Sequence, residues 1–220
     1  MMEVNGLILR AGARTLAQDI AFRAEDGECI LVAGPNGCGK TTLLKHLART
    51  VENSVFIPTG IPRIKGFTLE EFVRTGCFRE SNWAGLLNPG MSQRVDRTLA
   101  RMGLEDRRGQ DISTLSDGEF QKAGIAIALA RNARVLLLDE PTAFLDADGR
   151  ISVLRTIGQA ARENGITVLF SSHDLHDALG IADRVLAFTP AGVRVSTPEN
   201  RAAVLSLAFP LYQEVQHKII

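Results

Sequence analysis

The sequence predicts an α/β fold in which a mainly parallel β-sheet is covered by helices. Three observations indicate this fold. Apolar, β-branched runs alternate with helical patterns along most of the chain. Several runs are apolar at every position, Val135-Leu136-Leu137-Leu138 most clearly, as is typical of strands buried on both faces of a parallel sheet. One such run, at 29–33, leads through a glycine-rich segment into a helical pattern. In folds of this kind, ligands bind at the carboxyl ends of the strands.

The alternating patterns place each element along the chain. The predicted strands are 3–9, 16–22, 28–33, 55–57, 135–139, 167–171 and 184–188. The predicted helices are 40–48, 118–131, 148–164 and 175–181. The stretch 58–114 breaks the rhythm with helix-like patches at 69–75 and 93–102 separated by Gly and Pro, and we interpret it as part of an inserted helical lobe. We therefore expect one domain over 1–220, with a core of 1–57 and 132–196, a helical lobe of 58–131 and a C-terminal helical tail of 197–220.

Composition restricts the class of protein. The chain has 220 residues, of which 45% are hydrophobic, and its 25 basic side chains balance 25 acidic ones. This balance gives no electrostatic reason to expect a nucleic acid partner. No run approaches 18 apolar residues, and the amino terminus lacks a signal-peptide pattern, so we expect a cytosolic chain that does not span a membrane. The three cysteines have no metal-ligand spacing, which is typical of free thiols in a reducing compartment.

The glycine-rich segment has the spacing of a P-loop: glycine, four residues, glycine, lysine and threonine. Its backbone N–H groups and the following helix N-terminus suit a phosphate, so we expect ATP with Mg²⁺. Lys40 is predicted to reach the β- and γ-phosphates, and Thr41 to offer its hydroxyl to Mg²⁺. Cys38 is either a small side chain that fits the cradle or a thiol activated by the helix N-terminus. The candidate nucleotide-binding residues are Gly34, Pro35, Asn36, Gly37, Cys38, Gly39, Lys40, Thr41 and Thr42.

Two carboxylates follow the apolar run at 135–138 at the expected end of its strand. Asp139 is a candidate Mg²⁺ ligand, and Glu140 is a candidate base that orients or deprotonates the attacking water. The alternative interpretation is a strand-end turn with two exposed acids.

The segment Leu115-Ser116-Asp117-Gly118-Glu119 precedes a helical pattern. Ser116 with Glu119 three residues later also fits a capping box, and both interpretations can hold together. The segment resembles the signature motif of the ATP-binding subunits of ABC transporters, with Asp117 and Glu119 in place of the usual glycine and glutamine. The order of P-loop, signature, acidic strand end, the 143–146 loop and Ser171-Ser172-His173-Asp174 carries this resemblance over about 4–188.

The resemblance implies a head-to-tail pair of identical chains with each ATP held between the P-loop of one copy and the signature of the other. It implies that Ser116, Gly118 and Glu119 contact the nucleotide of the opposite copy and that Asp146 lies on the contact between the copies. It implies that His173 supports the γ-phosphate and the catalytic water. It also implies an antiparallel β subdomain, integral membrane permease subunits, an indirectly associated substrate-binding protein and a peripheral place on the cytoplasmic face of the inner or plasma membrane.

Two positions depart from the family pattern. Ala11 stands where an aromatic side chain usually stacks on adenine, which predicts a weak grip on the base. Thr59 stands where a glutamine usually contacts Mg²⁺, and its shorter hydroxyl is expected to reach the metal only through a water.

Several segments are most similar to importer ATPases for iron chelates, haem and cobalamin. These are the signature, the loop 141–146 and the lobe segment 66–76 with Trp83. Phe67, Phe72, Phe78 and Trp83 are either permease contacts or core residues of the lobe. The sequence leaves two other functions open: an ABC exporter of haem or lipid, and a soluble ABC ATPase in translation or DNA repair. It does not identify a cargo.

Overall fold

The computed structural model describes residues 1–77 and 89–209. Phe78, Trp83 and the end of the predicted tail, 210–220, lie outside the described residues. The described part contains two sheets. The smaller is an antiparallel pair of β1 (Met2–Ala11) and β2 (Arg14–Ala24), in which Ala11 pairs with Arg14 next to the connecting turn. This pair is the expected antiparallel subdomain.

The larger sheet has six strands in the order β4-β5-β6-β3-β7-β8. Neighbouring strands from β4 to β7 run parallel, and only β8 runs antiparallel to its neighbour β7. Its strands are β3 (Cys29–Ala33), β4 (Ser54–Ile57), β5 (Val135–Leu138), β6 (Thr167–Ser171), β7 (Arg184–Thr189) and β8 (Gly192–Val195). The mainly parallel sheet expected from the sequence is confirmed, whereas the edge strand β8 was not predicted.

Seven α-helices surround the sheet within the described ranges. They are α1 (Lys40–Thr50), α2 (Leu69–Arg74), α3 (Pro89–Met102), α4 (Asp117–Ala130), α5 (Ala147–Asn164), α6 (Leu175–Leu179) and α7 (Arg201–Ala208). Helix α3 begins four residues before the predicted patch at 93–102, because proline is well tolerated in the first turn of a helix. No helix of the described ranges is long and apolar enough to cross a membrane.

The sheet is buried on both faces, which explains its continuous apolar strands. Successive residues of β5 enter two different apolar clusters: Leu136 and Leu138 join one, and Val135 and Leu137 join the other. The first cluster includes α4, α5 and the helices of the lobe, and the second includes α1 and the antiparallel pair. Because the period of a strand is two residues, every position of such a strand has to be apolar.

The helical lobe packs against the sheet through the first cluster, and two of its candidate aromatic residues differ in burial. Phe72 packs against that cluster and stacks on Phe120 with ring centroids 5.5 Å apart. Phe67 is 37% exposed. Phe72 therefore belongs to the interior of the lobe, while Phe67 is open to a partner. The lobe boundaries at 58 and 131 stay predictions.

Candidate nucleotide-binding site

The P-loop connects the end of β3 to the start of α1 and depends on its glycines. Gly34 has φ 151° and Gly39 has φ 120°. A Cβ at position 34 would lie 2.8 Å from Cys38 Sγ and from Phe188 Cβ. Both the backbone conformation and the close approach of neighbouring atoms therefore require glycine at position 34.

Lys40 is almost buried, and its ammonium points back into the loop. Its Nζ donates to the backbone carbonyl oxygens of Gly34, at 2.8 Å, and of Pro35, at 3.2 Å. Both acceptors are neutral oxygens, and Lys40 forms no ion pair with any described residue. A buried cation with neutral partners is suited to an anion such as a phosphate.

Cys38 lies in the same loop and is partly buried. Burial raises the pKa of its thiol, and the charge of Lys40 acts in the opposite direction. This favours the interpretation of Cys38 as a small side chain that fits the cradle over the interpretation as an activated thiol.

Asp139 follows β5 and accepts hydrogen bonds from two hydroxyl groups. The Oγ1 of Thr41 lies 2.9 and 3.0 Å from its two carboxylate oxygens, and the Oγ of Ser171 donates to Oδ1 at 2.9 Å. The arrangement joins α1, β5 and β6 at the carboxyl edge of the sheet. The carboxylate of Asp139 beside the hydroxyl of Thr41 suits Mg²⁺, which keeps several waters and takes further ligands from substrate phosphates. In the described ranges no cluster of three or more His, Cys, Asp or Glu could hold a metal.

Glu140 is held in a left-handed backbone conformation, with φ 51°. Its N–H donates to Ser171 Oγ at 2.9 Å, and its Oε2 accepts the backbone N–H of His173 at 3.0 Å. Its Oε1 lies 3.3 Å from His173 Nε2 but accepts no hydrogen bond from the described residues. One oxygen of this nearly buried carboxylate is thus left without a hydrogen-bond donor among the described residues.

The pKa of Glu140 is raised, chiefly by burial. The charge and N–H of His173 and the charge of Lys40 lower it, and Asp139 raises it further. A carboxylate with a raised pKa is a stronger base once ionised, so this environment suits a group that accepts a proton.

Thr59 follows β4 and donates its hydroxyl to the backbone carbonyl of Asp139 at 2.7 Å. The hydroxyl is thus already bonded to the strand end that carries the carboxylates. Its contact with a metal through a water stays a prediction.

These groups line one open depression of about 460 Å³, which we call the P-loop cleft. It brings together four separate segments of the sequence, which carry Lys40 and Thr41, Thr59, Asp139 and Glu140, and His173. Its remaining lining residues are Ala11, Arg14, Leu16, Asn36, Gly37, Gly39 and Thr42. Ala11, Arg14 and Leu16 come from β1 and β2, so no aromatic side chain is present on this wall.

Comparison with known proteins agrees with this geometry. A family model described as "ABC transporter" matches residues 17–143, more than half of the chain. The zinc import ATP-binding protein ZnuC of Roseobacter denitrificans is 34% identical over 216 residues, which cover 92% of this chain and 83% of that protein.

The chain belongs to the ABC transporter family. The petrobactin import ATP-binding protein FpuC of Bacillus anthracis is also similar, with 30% identity over 84% of this chain and 77% of that protein. The ADP conformation of MJ1267, an ATP-binding cassette of an ABC transporter, has the same fold, with a TM-score of 0.80 and 20% identity over 97% of this chain and 99% of that chain. As an ABC ATP-binding subunit, the chain is an ATPase that binds nucleotide.

The segment 115–119 that resembles the ABC signature lies outside the P-loop cleft of its own chain. Ser116, Gly118, Glu119 and Asp146 are not among the residues that line the cleft. Gly34, Pro35 and Cys38 of the P-loop are also not among the lining residues. The described chain therefore contains the two halves of the predicted site at separate places.

The signature forms the first turn of α4, and the capping box read from the sequence is present. Glu119 Oε2 accepts from both the N–H and the hydroxyl of Ser116, at 2.9 Å each, and the N–H of Glu119 donates back to Ser116 Oγ at 3.3 Å. The N–H of Ser116 lowers the pKa of Glu119, and so does Arg107, whose Nε lies 3.3 Å from Oε1. In a single chain, Glu119 is thus a partner of Ser116; its contact with nucleotide stays a prediction.

Asp146 caps α5 in a similar way, because its Oδ1 accepts the N–H of Gly149 at 2.8 Å. Sequence reasoning missed Ser171 as a member of the site. This residue is fully buried, bonds to both Asp139 and Glu140, and is the only hydroxyl that joins the two carboxylate residues within the described ranges. The sequence feature that could have identified Ser171 is its position as a polar residue at the end of the predicted strand 167–171.

Proposed function

We propose that this ABC ATPase is the energy-coupling subunit of an importer for an iron chelate or a related metal-bearing cofactor. The support comes from the relatives. Those named above import zinc and petrobactin, and a further one imports iron(3+)-hydroxamate in Bacillus subtilis, at 28% identity over 80% of this chain. Two relatives carry the name of aliphatic sulfonate import proteins, so the import role has wider support than the cargo.

The observation that carries the mechanism is the separation of the two half-sites. The P-loop cleft of one chain contains Lys40, Asp139, Glu140 and His173 but neither Ser116 nor Gly118. A second copy, placed head to tail, supplies the signature from outside. The functional unit is therefore a homodimer with two composite sites.

The loop that follows Glu140 supports this pairing. Phe144 is 81% exposed and has φ 68°. A large apolar side chain held outward by a left-handed backbone is costly in a single chain, because both the exposure and the conformation are unfavourable. Contact with the second copy removes the exposure. Asp146, two residues later, lies on the same contact.

Each residue has a role in water attack on the γ-phosphate. Lys40 binds the β- and γ-phosphates in place of its two carbonyl contacts, while Thr41 and Asp139 would hold Mg²⁺. The bound ion would neutralise part of the phosphate charge. Glu140 accepts the proton of the attacking water, and His173 holds the carboxylate of Glu140 through its backbone N–H. Ser116 and Gly118 of the second copy bind the γ-phosphate.

The subunit lies on the cytoplasmic face of the inner or plasma membrane as a peripheral protein. It binds two integral permease subunits and, through them, works with a substrate-binding protein. Phe67, on the exposed side of the lobe, is our candidate for a permease contact.

The experiment that tests the mechanism is Glu140→Gln. We expect hydrolysis to fall by about a hundredfold or more, because the proton acceptor is lost, while ATP still binds and holds a dimer that gel filtration detects. Glu52→Gln, at an exposed glutamate, is the matched control and leaves both readouts unchanged. Unchanged hydrolysis in Glu140→Gln would remove this residue as the base. Recovery of the native protein with ribosomes instead of a membrane permease would support the soluble alternative.

A further inference from the structure

The loop 58–68, between β4 and α2, runs along one face of α4. Thr59 at its start bonds to the backbone of Asp139 in the P-loop cleft. Ile61 lies beside Gly124, where an added Cβ would come within 3.2 Å of Ile61 Cδ1. Arg63 then reaches the first turn of α4. The loop therefore connects the strand end that carries the carboxylates with the signature of the same chain.

The far end of the loop is fixed as well. The N–H of Gly66 donates to Asp111 Oδ2 at 2.7 Å, and the carbonyl of Phe67 accepts the N–H of Ile112 at 2.9 Å. Asp111 and Ile112 lead directly into the signature. Both ends of the loop are therefore held by hydrogen bonds, and Arg63 lies between them.

Arg63 contacts the signature turn in three ways. Its Nη1 donates to the carbonyl of Leu115 at 2.5 Å, and its Nη2 forms an ion pair with the carboxylate of Asp117. Its Cζ lies 4.8 Å from the ring centroid of Phe120, which in turn stacks on Phe72. The planar guanidinium is suited to such a combination, because it donates in a fork and stacks on a ring at the same time.

The ion pair itself adds little stability. The side chain of Asp117 is 61% exposed and that of Arg63 is 27% exposed, and pairs of this kind are screened by water. Its position is more informative. Asp117 adds a negative charge to the turn that has to receive a phosphate, and the guanidinium of Arg63 offsets this charge at the same turn.

We propose that Arg63 is a positioning residue of the signature. It fixes the first turn of α4 against the loop that begins at Thr59, and it offsets the carboxylate of Asp117 so that this turn can receive the γ-phosphate of the nucleotide bound by the second copy. The inference rests on the proposed two-copy site, and it adds a residue that acts on the partner's nucleotide without lining its own cleft.

The test compares Arg63→Ala, Arg63→Lys, Asp117→Gly and the double variant Arg63→Ala/Asp117→Gly in the full chain. For each, kcat, KM, melting temperature and ATP binding to dilute single chains are measured. Arg63→Ala is expected to lower kcat about tenfold, while the dilute chain binds ATP as the wild type does. In the Asp117→Gly background, Arg63→Ala is expected to lower kcat about threefold or less, because no carboxylate remains to be offset.

Two further variants define the expected pattern. Arg63→Lys is expected to recover part of kcat, since the charge returns without the fork. Arg97→Ala is the matched control: this arginine is exposed on α3, bonds to the carbonyl of Gln93 in its own helix, and leaves kcat unchanged.

The inference is overturned if Arg63→Ala lowers kcat by the same factor in the wild-type and Asp117→Gly backgrounds. It is also overturned if kcat does not change, or if the loss of activity is matched by a loss of melting temperature. Wild-type activity per chain is measured against chain concentration in the same series. If this activity does not depend on concentration, the two-copy function fails whatever Arg63 does. If it does depend on concentration and Arg63→Ala is fully active, only the role of Arg63 fails.

Discussion

Replacing Ser171 with alanine tests the connection between the two carboxylate residues of the cleft. The hydroxyl is fully buried, donates to Asp139 Oδ1 at 2.9 Å and accepts the N–H of Glu140 at 2.9 Å. Its removal deletes a hydrogen bond to a charged group and leaves the N–H of Glu140 without its acceptor. Each loss costs about 1–3 kcal/mol, and Asp139 keeps the hydroxyl of Thr41, so we expect a total of about 3 kcal/mol.

This loss is measurable in a chain of this size. At about 2–4 °C for each kcal/mol, the melting temperature is expected to fall by about 9 °C. We also expect kcat to fall about tenfold, because the backbone that holds the Glu140 carboxylate is released. Ser54→Ala is the matched control, since Ser54 is also buried but bonds only to carbonyls at the end of α1. Equal melting temperatures for the two variants, with unchanged kcat in Ser171→Ala, would refute the reasoning.

Three more changes have defined outcomes. Ala11→Tyr is expected to raise the affinity for ATP relative to tripolyphosphate about two- to tenfold, because it supplies a stacking surface for adenine; equal affinities in the variant would contradict this. Thr59→Ala is expected to change ATP turnover only slightly, and a loss of more than about a hundredfold would show that the hydroxyl is essential. Gly76→Ala is expected to destabilise the protein by about 1–3 kcal/mol in thermal unfolding, because its Cβ would lie 2.5 Å from the carbonyl oxygen of Ile127. Gly109→Ala is the control, since a Cβ there meets no atom within 4 Å. Equal stabilities of the two variants would refute the packing argument.

Local patterns were enough to predict much of the fold. The glycines of the P-loop act within a few residues of sequence, and the apolar runs of β5 and β6 follow directly from burial on two faces. The edge strand β8 escaped prediction because its residues are only half-buried or exposed, so the apolar signal is weak. The start of α3 at Pro89 escaped because the helical pattern begins only after its first turn.

The parts of the site that could not be predicted depend on contacts between distant residues. Thr59 bonds to the backbone of a residue 80 positions away, and Ser171 bonds to residues 31 and 32 positions away. No local pattern records such a pairing. The apolar run and the P-loop supplied Asp139 and Glu140 as candidates, and the resemblance to ABC subunits supplied His173. The structure brings all three into one cleft. Their roles in hydrolysis stay predictions.

The most direct test of the central claim is complementation between two inactive chains. Lys40→Ala damages the P-loop half-site, and Ser116→Ala damages the signature half-site. Random pairing of equal amounts gives mixed dimers, each with one intact composite site, and the mixture is expected to reach about a quarter of wild-type activity. A mixture of Lys40→Ala with the double variant Lys40→Ala/Ser116→Ala contains no intact site and is expected to stay inactive. If the first mixture shows only the average of its two components, each chain hydrolyses ATP alone, and the shared site is wrong.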